Sequence, residues 1–346
     1  MAAPVTERRW LIVYFALVAL EVAAALVLTG SGKSAPAEIV NSIFLPTLVA
    51  AIWSVIAIVW WIVRMWRAGV ESPLKQFNRD NLRIGLNHLA ARMLPPAGIA
   101  IFGVWFGVLK QLVPSLGGFR LDGALAEVDY LLFLGHDPWR LAHAAFGWAA
   151  GFIDLVYGIW LPVLLVFPYV LTIFAPAQVR ARFFLTWVLS WILLGILLAI
   201  ALASAGPMFL GDMRLAGAEH YKGLVETLKA TPVAEKVHAY LWDLYQHGET
   251  RLGGGISAAP SLHVAMAWLY VLTTWRWWKP LSIPAIAFFA IICVGSVFLG
   301  YHYAVDGLIS IAGVSTIWML VGRWVDGHKP TLARWGFAPM PKPVGE

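Results

Sequence analysis

Charge and cysteine are both scarce in this chain of 346 residues. Asp, Glu, Lys and Arg make up 13% of it, where a soluble globule carries about 25%. Cys293 is the single cysteine, so no disulfide can close within the chain, and thiol usage says nothing about the compartment. No regular alternation of apolar and polar residues runs over the ~10 positions of a membrane β-strand, which argues against a closed barrel. The first apolar run has no small-residue cleavage site and continues for the length of a spanning helix, so it reads as a retained span rather than a signal peptide. No internal repeat and no second soluble domain stands out.

What is present is apolar. Hydrophobic residues are 60% of the chain, against about 45–50% in a soluble domain, and several runs of about 20 residues can each cross a bilayer as a helix. The fold class is all-α, a polytopic membrane bundle of about eight transmembrane helices. The net charge of +6 does not indicate nucleic acid, because the basic residues cluster in particular loops, the positive-inside pattern. The 19 Trp and 10 Tyr suit the two membrane interfaces, where an apolar ring and a polar tip are both satisfied.

Taken in order, the spans are expected at 10–29, 42–63, 94–113, 151–174, 183–205, 260–276, 281–300 and 303–321. Glu21, inside the first, reads as a carboxyl facing the bundle. The excess of Arg and Lys over 64–92 places that loop and both chain ends on the cytoplasmic side. The longest polar segment, 206–257, has nearly balanced charge and is expected outside the cytoplasm. It holds two amphipathic patterns, near 217–229 and 233–246, separated by Thr231-Pro232.

Two segments stand apart from this apolar background: Gly253-Gly254-Gly255-Ile256-Ser257-Ala258-Ala259-Pro260-Ser261-Leu262-His263, and Gly300-Tyr301-His302-Tyr303-Ala304-Val305-Asp306. Ionisable groups at membrane-helix ends are costly and mark function by default. Alternation of the spans brings His263, His302 and Asp306 to one depth on the non-cytoplasmic side. His302 and Asp306, four apart, share a helical face, so the carboxylate can accept a proton from one ring nitrogen and leave the other as nucleophile or base. The glycines allow close backbone approach to a ligand. Pro260 suits a first helical position, leaving the N–H groups of Ser261, Leu262 and His263 as an anion site. Each feature alone has an ordinary reading: a turn, an interfacial anchor, a chance spacing. Their coincidence at one depth favours catalysis.

The motif Ala259-Pro260-Ser261-Leu262-His263 resembles the Pro-Ser-x-His motif of the type 2 phosphatidic acid phosphatase superfamily. Gly300-Tyr301-His302-Tyr303-Ala304-Val305-Asp306-Gly307 resembles its last motif. The resemblance implies His302 as nucleophile on phosphorus, Asp306 as its orienter and His263 as the acid on the leaving oxygen, with no metal and no cofactor. The first motif of the superfamily is absent, and Gly295-Ser296 stand where the last motif usually opens with Ser-Arg, so the phosphate-holding arginine is missing. Arg251 is the first candidate to replace it, with Arg140 and Arg214 behind, beside Ser261, Gly254 and Gly255 as phosphate contacts. Asp129-Tyr130-Leu131-Leu132-Phe133 and Phe152-Ile153-Asp154-Leu155-Val156-Tyr157 are similar to segments of the branch of inositol phosphorylceramide synthase.

This divides the chain into two spans and a basic loop (1–93), a catalytic membrane domain with a six-helix phosphatase-like core (94–322), and a tail (323–346). The implied activity is transfer of a phospho-headgroup from a glycerophospholipid to a lipid hydroxyl such as ceramide, with membrane lipids as donor and acceptor. Hydrolysis of a lipid phosphate is the alternative, and the implied setting is a bacterial inner membrane with the site on its periplasmic face. A transporter using the His/Asp set as a proton relay, and a metal hydrolase with His263, His302 and Asp306 as ligands, remain as rivals.

Overall fold

The computed structural model describes residues 5–29, parts of 52–69, 79–248 and 254–327. Among these residues there is no strand. The principal helices are α1 (Val5–Thr29), α2 (Arg79–Lys110), α3 (Asp122–Leu132), α4 (Pro138–Phe146), α5 (Ala150–Gly158), α6 (Trp160–Phe174), α7 (Ala177–Ile192), α8 (Pro232–His247), α9 (Leu262–Trp277), α10 (Lys279–Phe298) and α11 (Ala304–Gly327). Among the described residues five stretches are long and apolar enough to cross a membrane: Arg9–Leu28, Arg92–Gly117, Ala177–Ala201, Lys279–Phe298 and Ala304–Asp326. The pair Pro138–Gly158 and Trp160–Phe174, bent by 45°, can make a sixth. The chain is therefore an integral membrane helical protein. The span expected at 42–63 falls largely outside the described residues.

Several expected elements differ in form. The span predicted as one helix over 151–174 is broken at Ile159 into α5 and α6. Pro162, in the first turn of α6, has no N–H to offer Gly158, which explains the restart. The third span extends back to Arg79 as part of the 32-residue α2. Of the two amphipathic patterns in the polar segment, the second forms α8. The first yields only short turns, Leu224–Thr227 and Leu228–Ala230, because Gly223 at φ 89° breaks it.

Helix α9 has 16 residues, about 24 Å, shorter than the ~30 Å hydrocarbon layer. It nevertheless lies at the centre of the bundle, with Val264, Ala265, Met266, Ala267 and Leu269 fully buried between α7, α10 and α11. An aromatic column fills the space between α2 and α7. Phe102 meets Trp187 edge-on at 5.3 Å, and Phe106 meets Trp191 at 4.6 Å. Trp191 donates in turn to the Met266 sulfur on α9. Glu21 faces inward, 3% exposed, with no hydrogen-bond partner for either oxygen among the described residues.

One end of the bundle is tied by arginines. Asp326 of α11 receives Arg276 from α9 at 3.0 Å and Arg182 from α7 at 3.4 Å. Arg92 of α2 caps the last carbonyls of α6, donating to Ile173 O at 2.6 Å. Cations at helix C-terminal carbonyls are favoured by the helix dipole. The starts of α9 and α11 lie at the opposite end, together with the end of α2.

Candidate active site

Helix α11 begins with a doubly acidic cap. Asp129 of α3 accepts from Ala304 N at 2.7 Å and from Val305 N at 2.9 Å. Asp306, at the third helical position, reaches back to accept from Tyr303 N at 3.0 Å. Three N–H groups that an unassisted helix start would leave unpaired are thus met by two carboxylates. Asp129 is fully buried. Burial pushes its carboxyl up to about 6, against the downward pull of the two N–H groups.

This cap places His302 against the segment that leads into α9. His302 Nδ1 lies 2.8 Å from the Ala258 carbonyl and 3.7 Å from Asp306 Oδ2. Since a carbonyl can only accept, Nδ1 carries the proton and Nε2 the lone pair. The tautomer is therefore set by a backbone carbonyl, and the expected proton contact from the ring to Asp306 is replaced by a longer ionic approach. His302 Nε2 faces His263 Nδ1 at 3.4 Å. The His263 ring lies between Trp160 and Tyr157, at 4.1 and 4.7 Å, and Trp160 donates to the His263 carbonyl.

The Ala258 carbonyl is itself held. Ala258 N donates to Ser204 O and Ala259 N to Ser204 Oγ, both at 3.0 Å. The adjoining Ala205 N and Gly206 N donate to the Asp122 carboxylate, which also accepts from Tyr303 OH at 2.7 Å. Burial and the Asp122 charge hold the Tyr303 phenol far above its ordinary range, so it stays a donor. Asp122, Ser204, the Ala258-Ala259 backbone, His302 and Tyr303 form one hydrogen-bonded clasp. Asp154 does similar work nearby, capping α8 through Val233 N at 2.8 Å and Ala234 N at 2.9 Å.

The structure thus brings His263, His302 and Asp306 together. Ser261 is the N-cap of α9, its hydroxyl accepting from Val264 N at 3.3 Å, so Pro260 stands before the helix rather than at its first position. The free N–H groups at that start are those of Leu262 and His263. Gly254 is buried and Gly255 half-buried. Gly255, at φ 90°, lies against the backbone of Gln111, where any Cβ would meet Gln111 N and Cα at 3.3 Å. The close approach here is to a helix end. Arg251 is outside the described residues. Arg140 pairs with Asp137 at 3.0 Å, and Arg214 is exposed; neither contacts the histidines. Among the described residues no three His, Cys, Asp or Glu side chains are grouped to hold a metal ion. His302 Nδ1 and Asp306 Oδ2 are both turned to backbone partners.

Sequence reasoning gave no role to Asp122, Asp129, Asp154, Ser204 or Lys110. The three aspartates had a signal, as carboxylates within apolar surroundings, and two of them lie in the segments similar to the inositol phosphorylceramide synthase branch. Ser204 and Lys110 had none beyond their residue type. A ring nitrogen with a free lone pair, a second imidazole facing it and a buried carboxylate behind it can perform nucleophilic and acid–base chemistry on one small group. No curated protein and no solved structure matches the chain. A family model described as the PAP2 superfamily matches residues 123–322, a stretch that contains both histidines, Asp129, Asp154 and Asp306 and begins one residue after Asp122, and the chain belongs to that superfamily.

Proposed function

We propose that this protein is an integral membrane phosphotransferase that moves a phospho-headgroup from a glycerophospholipid to a lipid hydroxyl such as that of ceramide or diacylglycerol. Superfamily membership supports the broader class, lipid phosphatase or phosphotransferase. The observation that carries the mechanism is the pair of facing ring nitrogens, His302 Nε2 and His263 Nδ1, 3.4 Å apart with His302 Nδ1 tied to a carbonyl.

The phosphoryl group enters between the two rings. His302 Nε2 attacks phosphorus, and the bond to the donor's ester oxygen breaks. His263, protonated to imidazolium once the negative charge of the substrate phosphate lies beside it, gives that oxygen its proton. The phosphohistidine is then opened by the acceptor hydroxyl, whose proton returns to the neutral His263, and His302 is regenerated. Asp306, buried near Nδ1, offsets the positive charge that His302 gains while the P–N bond exists. With a phosphomonoester lipid as donor and water as acceptor, the same site is a lipid phosphate phosphatase.

Our reading of the frame is a six-helix catalytic unit over 94–322 within about eight spans. It follows the branch of inositol phosphorylceramide synthase because of the segments around Asp129 and Asp154. The arginine-tied end faces the cytoplasm by the positive-inside rule, and the histidines face the other side, the periplasm in a bacterial inner membrane. Purified protein in vesicles of labelled glycerophospholipid, with and without ceramide, tests this. A new phospholipid formed by the wild type and lost in His302→Ala and His263→Ala is the expected result. Free phosphate alone, released from a phosphomonoester lipid, would make the enzyme a phosphatase. No product with any donor would refute both.

A further inference from the structure

Among the described residues the catalytic pair has no arginine beside it to neutralise a phosphate, and the structure closes the place where the superfamily's last motif carries one. Ser296, which stands there, is 2% exposed, and its hydroxyl turns back to the Cys293 carbonyl at 2.8 Å. The preceding Gly295 lies under the Tyr157 ring, where a Cβ would come within 2.9 Å of Cδ2. A long cationic side chain has no room there.

A different cation reaches the site from α2. Phe102, Phe106 and Lys110 are spaced four apart and form one stripe on that helix. Phe102 and Phe106 are buried against Trp187 and Trp191. The Phe106 ring and the Leu262 side chain both close over Gly195, within 2.9 Å of where its Cβ would be. Leu262 precedes His263, so the next turn of the stripe brings Lys110 to the start of α9. Gly255 lies against the neighbouring Gln111. The Lys110 ammonium acts electrostatically on the His263 ring. Arg120, Arg140, Arg214, Lys222, Lys229 and Lys236 at this end are all exposed, while Lys110 is half-buried. Among the described residues it has no ion-pair partner.

We propose that Lys110 is the phosphate-binding cation of this enzyme, closing one side of a phosphate site whose other sides are His263, His302 and the N–H groups at the start of α9. The proposal deepens the function proposed above and rests on it for the identity of the substrate. The ordinary role of a lysine in the last turn of a helix is to complement the dipole, and the test has to separate the two.

The probe is inorganic phosphate, read by thermal shift of the whole protein in uncharged detergent, a measurement that needs no turnover. A parallel arm titrates vesicles of phosphatidylcholine containing phosphatidic acid. Losing a charged hydrogen bond to phosphate weakens binding about 10- to 100-fold. Lys110→Met is expected to weaken the response to both probes by that factor. Lys110→Arg should keep most of it, and Arg251→Met should leave it unchanged. Melting without ligand identifies a variant that has merely lost structure, and Lys110→Arg then carries the comparison. The proposal falls if Lys110→Met binds phosphate like the wild type, if Arg251→Met is the variant that loses it, or if the wild type shows no phosphate response. It also falls if only the vesicle arm changes, since Lys110 would then be reading the lipid surface. A wild type that binds phosphate through Lys110 yet forms no product would sink the proposed function and leave this inference standing.

Discussion

Asp306 holds two positions at once: it caps the helix through Tyr303 N and stands 3.7 Å from His302 Nδ1. The two roles separate by substitution. Asp306→Asn keeps an oxygen for the Tyr303 N–H and loses the charge, so kcat should fall about 100-fold or more with the melting temperature nearly unchanged. Asp306→Ala removes both, and should add the loss of a cap, about 1 kcal/mol. His302→Ala should remove the nucleophile and with it about 10⁴-fold or more of the rate. Asp129 yields a pH prediction. Its carboxyl binds a proton more tightly in the fold, at about 6, than at its ordinary 3.8. Its contribution to stability is therefore fully present below the ordinary value and is lost as pH rises through about 6. Melting curves of wild type and Asp129→Asn between about pH 4 and about pH 7 should show a steeper fall with rising pH in the wild type than in the variant.

At the scale of elements, the site depends on a helix start and an extended segment held side by side. Ser204 joins them, because its main-chain and side-chain oxygens take Ala258 N and Ala259 N while the Ala258 carbonyl takes His302. Ser204→Ala leaves a buried N–H unpaired, about 1–3 kcal/mol. The Ala258 carbonyl should then drift from His302, so kcat should fall more than KM rises. Steady-state kinetics beside a denaturation curve would check both, and a variant with reduced stability but unchanged kcat would count against the clasp. The helices themselves were legible from apolar runs. Their breaks were not: Pro162 and Gly223 read as punctuation in the sequence, but their effect depended on what the neighbouring turns could pack against.

For the whole molecule, the basic network at Asp326 and the histidine pair lie at opposite ends of the bundle, and the charge rule assigns the former to the cytoplasm. Single cysteines introduced in a Cys293→Ser background test the orientation. A membrane-impermeant maleimide added to intact cells should label Lys236→Cys on α8 and should not label Arg323→Cys on α11; both positions are exposed. The reverse pattern would invert the reading.

Apolar run length and the clustering of basic residues determined by themselves that the chain is a helical membrane protein, because a bilayer leaves so few ways to satisfy a backbone. Alternation of the spans also leads to the expectation that His263, His302 and Asp306 share one side, and the structure brings the three together. Only tertiary structure decided which oxygen holds the His302 proton and that Asp129 and Asp122 are caps and clasps. Those contacts join residues 44 to 181 positions apart. Their partners are mostly backbone N–H and C=O groups, which every residue carries, so no side-chain pattern along the chain could announce them.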